Sequence, residues 1–590
     1  MQIPKKINKF VKFLRKMDFI KKNISTLLLA IVVIVLITML YAPMYAYQEG
    51  LQIFMFNSEF FVDTCLHPGG LSDYIGSYLV QFFMYPHWTA MFVALLVVGV
   101  QLFLKSFFVS NGNSKSTADI LSIVGAAGMM AAVFSFNVVF NGCVAVLIAV
   151  AAAKITDIIK NKVVLAILTP VIYWMSGGWC CLIYLAALMV KSLAKKDFLF
   201  PAINIGLLVF SWLITKNIMQ SGSLYDLFVG VIFNRYPEKN CYVWYVAIAI
   251  IIACIALSKI KMPIQKIALR IPLYVAVVGG LIFYLTSIYD TGNMLDYRLD
   301  RMVRYKQWNN IIEEVDKAQQ KKFSTYMSQC YLNLALCEHG MLDAKMFNFV
   351  QVGREGLISS TIDSQDKSIC NSEVYFRLGL INIAERLSME AMESINTFQK
   401  SARLYKRLAE CALLKGEKPL AMRYLKKLQA TTFYNAWAIR AEEYLNDSVH
   451  TEALADWKIK PLVMNYDQFF VPASGSEFLY SLFSNNIHNP KLFSYLLGCL
   501  LLEKDVTRLY GFLATSRPEG ELGRHVYEAT LLYLFLNNKA EFDKIMAGNN
   551  DLTKKFHDFC NFMGAGGSQN PQKAKEMFGK TYWFYYYFCN

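Results

Sequence analysis

The first 290 residues contain nine runs of mostly apolar residues, at roughly 24–46, 88–108, 118–136, 139–156, 163–176, 178–193, 198–217, 241–258 and 271–289. A helix needs about 20 such residues to cross the hydrocarbon core, and lipid tolerates no unpaired backbone group. A polytopic helical membrane domain is therefore the expected fold of this half. Two of the runs are short, and Gly177-Gly178 between them reads either as a tight turn outside the membrane or as a break in one long hairpin. Composition agrees with a membrane protein: 55% of the 590 residues are hydrophobic and 17% are charged, too apolar for a water-soluble chain of this length.

The net charge of +15 raises the question of nucleic acid. Residues up to Asp290 hold 23 Lys and Arg against 11 Asp and Glu, whereas the remainder holds 36 against 33. The basicity therefore belongs to the apolar half and follows membrane topology, and no nucleic-acid partner is expected. Lys5, Lys6, Lys9, Lys12, Arg15, Lys16, Lys21 and Lys22 precede the first run and place the N-terminus in the cytoplasm. With alternating spans, the cytoplasmic loops carry Lys105 and Lys115, then Lys154, Lys160 and Lys162, then Lys191, Lys195 and Lys196, then Lys259, Lys261, Lys266 and Arg270. The opposite loops carry only Lys216, Arg235 and Lys239. Nine spans put everything after Asp290 outside the cytoplasm. The expected organisation is a basic N-terminus over 1–23, a transmembrane domain over 24–290 with a long first external loop at 48–87, and an extracytoplasmic domain over 291–590.

Beyond Tyr289 the chain changes to charged amphipathic helices broken by short Gly, Asn and Pro turns. Four segments recur there, beginning at Tyr331, Tyr405, Tyr495 and Tyr527, each with an aromatic residue, small and apolar residues on one face, and a polar turn. This pattern resembles degenerate tetratricopeptide repeats and implies an α-solenoid of helix pairs over about 302–450 and 490–550, able to present a concave surface to a protein or glycan. The whole chain is thus expected to be all-α. The 13 Cys match no zinc or redox spacing, and no metal site is expected from them. The seven after residue 300 would face an oxidising space, which leaves a bridge open.

The segment Gln48 to Trp88 has no Lys or Arg, yet holds Glu49, Glu59, Asp63, Asp73, His67, His87 and a Pro68-Gly69-Gly70 turn. Leu51 to Phe61 and Leu71 to Phe83 read as amphipathic helices at the membrane surface. Acids held against an apolar interface gain proton affinity, which suits a general base. Glu59 and Asp63, four residues apart, share a helix face; they read equally as solvated acids on its outer side. Arg235, in the external loop Ser221 to Asn240, offers a planar fork for a diphosphate, or for a lipid headgroup.

The loop acids, the interfacial helices, the turn Pro68, Gly69, Gly70, Leu71 and Tyr74, about nine spans and an extracytoplasmic C-terminal domain together resemble the GT-C class of membrane glycosyltransferases. The resemblance implies a sugar taken from a polyprenyl-phosphate donor and given to an envelope acceptor. It implies Glu59, Asp63 and Glu49 as catalytic candidates, and Arg235, His67 and Asp73 as substrate-binding ones. A divalent metal on the donor diphosphate is the cofactor it allows. The paired acidic dipeptide of that class is absent, since Glu49 stands beside Gly50. The chain also resembles a family of large inner-membrane proteins of Bacteroidetes, a likeness that implies a bacterial inner-membrane location and no activity. A non-catalytic, membrane-anchored repeat scaffold for envelope assembly is the alternative.

Overall fold

The structure, a computed structural model, describes residues 23–193, 195–219, 222–236, 241–259, 267–359, 362–395, 400–446, 457–464, 469–470, 475–516, 522–548 and 550–589. The N-terminal basic residues, Lys239, Lys261 and Lys266 lie outside them. The regular elements among the described residues are all helices, with one isolated bridge between Val138 and Asn234. Two compact units form. One comprises Met1–Asp290, Ile395–Ala402 and Lys427–Asn435; the other comprises Thr291–Ser394, Arg403–Lys426 and Ala436–Asn590.

The first unit contains α1 (Asn23–Glu49), α2 (Ser58–Cys65), α3 (Gly70–Val80), α4 (Pro86–Ser110), α5 (Lys115–Val133), α6 (Phe140–Ile158), α7 (Lys162–Ser176), α8 (Gly178–Leu193), α9 (Leu199–Ile218), α10 (Leu224–Val229), α11 (Tyr242–Leu257) and α12 (Ile267–Ile288). Six of these, α1, α4, α5, α6, α9 and α12, are long and apolar enough to cross a membrane. The apolar helices α7, α8 and α11 have 15, 16 and 16 residues. Gly177, at φ 78°, separates α7 from α8. Helix starts follow ordinary capping: Ser114 accepts from the Thr117 N–H before α5, and Asn161 from the Val163 N–H before α7. Some polar groups inside the bundle pair across helices, while the buried Gln101 amide on α4 has no partner among the described residues. Thr169 on α7 donates to Asn204 on α9 at 2.6 Å, holding the two helices by a hydrogen bond that surrounding lipid could not supply.

Four of the loop lysines that oriented the sequence lie beside carboxylates. Lys105 pairs with Asp119 at 2.5 Å, Lys162 with Asp197 at 2.5 Å, and Lys154 and Lys191 share Asp157. These pairs gather at the connections α4–α5, α6–α7 and α8–α9.

One expectation is corrected in the first external loop. No helix begins at Leu51; residues 52–57 are not helical, and α2 starts only at Ser58, capped by Asn57. Leu51, Gln52, Ile53 and Phe54 are buried, and the Gln52 carbonyl and Phe56 N–H are taken by Ala402 and Ala430 of the same unit. Backbone pairing available only from distant residues thus overrode the local amphipathic pattern. Helix α3 is present, but its Ser72, Asp73, Gly76, Ser77 and Val80 face is buried in protein rather than lying free at a surface.

The second unit has a continuous apolar core including Tyr331, Leu334, Tyr375, Leu378, Tyr495 and Leu497. All four recurring segments fall on helices, Tyr326–Glu338, Ala402–Lys415, Pro490–Leu502 and Arg524–Asn537. A second helix follows each, although after the first it is only Leu342–Lys345. Buried charges are paired: Arg403 grips both oxygens of Asp300 at 2.8 and 2.7 Å, while the Tyr331 hydroxyl donates to the same carboxylate.

Candidate functional site

The ends of α3, α6 and α7 meet the segment after α10. Gly69, at φ 78°, opens α3, and Gly230, at φ 72°, turns the chain after α10. The two backbones touch: a Cβ on Gly230 would lie 2.6 Å from the Pro68 carbonyl oxygen, and one on Gly69 2.5 Å from the Val231 nitrogen. Only glycine permits both the left-handed conformation and this approach. The end of α7 fixes the same turn from the other side. The Gly69 N–H donates to the Trp174 carbonyl at 2.8 Å, Ser72 Oγ to the Met175 carbonyl at 2.7 Å, and Trp174 Nε1 to the Cys65 carbonyl at 3.0 Å.

This packing seals Asp73 at 1% exposure. Its Oδ1 accepts from Asn141 Nδ2 at 3.1 Å and from the Ile232 N–H at 3.1 Å. His67 Nε2 lies 3.7 Å from Asp73 Oδ2, and His67 Nδ1 lies 2.8 Å from the Pro68 carbonyl oxygen. Burial raises the Asp73 carboxyl to about 8, against the opposing pull of the Ile232 and Asn141 hydrogen bonds. Burial lowers the His67 imidazole, which the Pro68 and Gly230 carbonyls partly offset. With Nδ1–H donating to Pro68, the other ring nitrogen faces the carboxyl at 3.7 Å, longer than a hydrogen bond. The side chain of His67 is 27% exposed, so it is the less buried member of the pair.

The other sequence candidates lie elsewhere. Glu59 and Asp63 are exposed on α2, a helix with no buried residue. Arg235 is 8% exposed; its Nε donates to the Phe136 carbonyl at 3.1 Å and its guanidinium lies 4.9 Å from the Phe136 ring centre. His87 is exposed in the first turn of α4. Glu49 is 5% exposed and accepts from the Tyr434 hydroxyl at 3.2 Å. Glu49 lines a cavity of about 20 Å³, together with Gln52, Ser77 and Gln81, in which Gln52 Oε1 and Gln81 Nε2 have no partner among the described residues. The cavity has room for one water molecule.

Asn141 was not singled out in the sequence, although a lone amide in an otherwise apolar run was a usable signal. Nothing local connected it to Asp73, 68 residues earlier. Among the described residues no three His, Cys, Asp or Glu side chains converge on one point. Asp73 and His67 supply two ligating groups, and the carboxyl is held in a setting that favours its neutral form, so the dyad fits a proton-transfer role better than a divalent metal.

No curated protein and no solved structure matches the chain. A family model, described as "Family of unknown function (DUF6057)", matches residues 18–589, nearly the whole length, and the chain belongs to that family.

Proposed function

We propose that the chain is a GT-C-like membrane glycosyltransferase that moves a sugar from a polyprenyl-phosphate donor to an envelope acceptor, with His67 as the base and Asp73 as its positioning partner. The observation that carries this reading is the sealed carboxyl of Asp73 beside the partly exposed imidazole of His67. The acceptor hydroxyl gives its proton to His67 Nε2 as its oxygen attacks the anomeric carbon. The bond from that carbon to the donor phosphate breaks and its electron pair leaves with the phosphate. Transfer runs in the fraction of molecules in which Asp73 is ionised, a fraction that grows as pH rises towards 8, and that carboxylate stabilises the imidazolium. In this reading nine helices span a bacterial inner membrane, with the N-terminus cytoplasmic. The dyad and the second unit lie outside the cytoplasm, and the second unit's helix pairs act as a tetratricopeptide-like solenoid that holds the acceptor.

The experiment is transfer of labelled sugar from a polyprenyl-phosphate donor by membranes containing wild type, His67→Gln or Asp73→Asn. His67→Gln is expected to lower the rate by about 10²–10⁴, the usual contribution of a general base. Asp73→Asn is expected to flatten the pH–rate profile while leaving KM in place. Unchanged rates in both variants would sink the transferase reading. The alternative, a non-catalytic scaffold whose repeats gather envelope proteins or glycans, is favoured by the exposure of Glu59 and Asp63. It predicts that both dyad variants complement a deletion strain fully.

A further inference from the structure

At one end of the helices of the first unit, lysines and aspartates meet in three places. Around Asp119 and Asp197 one lysine reaches one carboxylate, Lys105 in the first case and Lys162 in the second. Asp157, in the last turn of α6, is different. It receives Lys154 from its own helix at 2.8 Å and Lys191 from the last turn of α8. Ser110, which ends α4, donates to the same carboxylate. Lys259, just past α11, stands close enough to repel Lys191 electrostatically. That end of α11 is fixed by Asn113, whose amide donates to the Ser258 carbonyl at 2.9 Å. Three ammonium groups on α6, α8 and the end of α11 thus gather on one carboxylate, which leaves two positive charges in excess.

The three lysines differ in what they have left to donate. Lys154 directs its protons to Asp157 Oδ2, to Ser110 Oγ at 3.1 Å and to the Ser106 carbonyl at 3.2 Å, and an ammonium has three. Lys191 pairs with Asp157 and lies 5.5 Å from the Phe107 ring centre, which leaves it protons to give. Lys259 is exposed. An arriving anion is therefore met by Lys191 and Lys259. The surrounding surface says what carries that anion. Val109 on α4, Ile155 and Ile158 on α6, and Met189 and Leu193 on α8 are exposed apolar side chains near the same helix ends. A free anion makes no use of them, whereas acyl chains below a headgroup cover them. Helices α4 and α6 are long and apolar enough to cross a membrane, so their ends fall at headgroup depth. We propose that the ends of α4, α6, α8 and α11 bind the phosphate of an anionic phospholipid, held by Lys191 and Lys259 with its tails along the exposed apolar residues. Attraction of one lysine to an anionic lipid surface is worth about fivefold in affinity.

The test is native mass spectrometry of the full chain in detergent, mixed with phosphatidylglycerol or with phosphatidylcholine of the same tails, each with and without an equal concentration of inorganic phosphate. Expected is retention of one phosphatidylglycerol per protein at a concentration where phosphatidylcholine is lost, unchanged by the inorganic phosphate. Lys191→Gln and Lys259→Gln are each expected to lower that retention about fivefold. Lys259→Gln leaves every contact of Asp157 in place, so it decides the matter even if Lys191→Gln fails to fold. Lys216→Gln, near the other end of α9, removes only a contact to the Gly222 carbonyl and should leave retention unchanged. Equal retention of the two lipids, displacement by inorganic phosphate, unchanged retention in Lys259→Gln, or an equal loss in Lys216→Gln would each overturn the proposal. Retention is read without turnover, so the result does not depend on the transferase reading.

Discussion

Asp73→Asn tests the electrostatics of the site independently of any substrate. The folded carboxyl titrates at about 8, whereas an unfolded aspartate titrates near 3.8, so between these values the native state holds a proton that the unfolded state releases. Stability therefore falls as pH rises through this window and levels off above the folded value, with a slope of ~1.4 kcal/mol per pH unit where the difference is one full proton. His67 works in the opposite sense. Its lowered value makes the native state resist protonation, so its contribution is lost as pH falls below about 6.5. The interval from pH 6.5 to 9 consequently isolates Asp73. Across it wild type is expected to lose about 2 kcal/mol relative to Asp73→Asn, which has no proton to release. The amide reproduces the shape of the neutral acid and keeps an oxygen for the Ile232 N–H. Thermal unfolding of the detergent-solubilised full chain at pH steps of one half provides the assay. The midpoint of wild type should fall by about 1–2 °C relative to the variant, since a chain of 590 residues shifts by roughly 1 °C per kcal/mol. A difference that stays constant with pH, or that favours wild type as pH rises, refutes the account of a sealed, proton-holding carboxyl.

Gly230→Ala places a Cβ 2.6 Å from the Pro68 carbonyl oxygen at a φ of 72°, and is expected to lower thermal stability by at least the ~1–3 kcal/mol of backbone strain. Glu59→Gln combined with Asp63→Asn, both exposed on α2, should change stability by less than about 0.5 kcal/mol and preserve transfer; loss of transfer would move the catalytic site to α2. In the second unit, Glu528 is fully buried and receives Arg524 Nε, His525 Nδ1 and the Tyr582 N–H. Glu528→Ala should cost about 3–5 kcal/mol and expose the Tyr582–Phe588 helix to limited proteolysis. A reporter joined to the C-terminus should be active only outside the cytoplasm, and one joined near Lys195 only inside. The reverse pattern would rule out nine spans.

What the sequence determined by itself is whatever a local period or a run of one residue class can encode. Apolar runs long enough for a bilayer required helices, because no other local structure satisfies a backbone in lipid. The ends of α4, α7 and α9 fall within two residues of the runs at 88–108, 163–176 and 198–217. The four aromatic-led segments likewise fell on helices of the second unit, since a 3.6-residue apolar stripe is visible in any short window. The candidate loop at 48–87 was legible as unusual, and Asp73 and His67 were among its residues. Their separation from Glu59 and Asp63 was not legible, because nothing in a 40-residue window states which acid will be buried. That was decided by Asn141, Trp174, Gly230 and Ile232, which reach Asp73 or its turn from 68 to 159 residues away along the chain. The helix expected at Leu51 failed for the same reason, since Ala402 and Ala430 offered its backbone other partners. Desolvation depends on the sum of all neighbours in space, so the proton affinity of a carboxyl, and with it the chemistry of the site, exists only once the tertiary structure has closed around it.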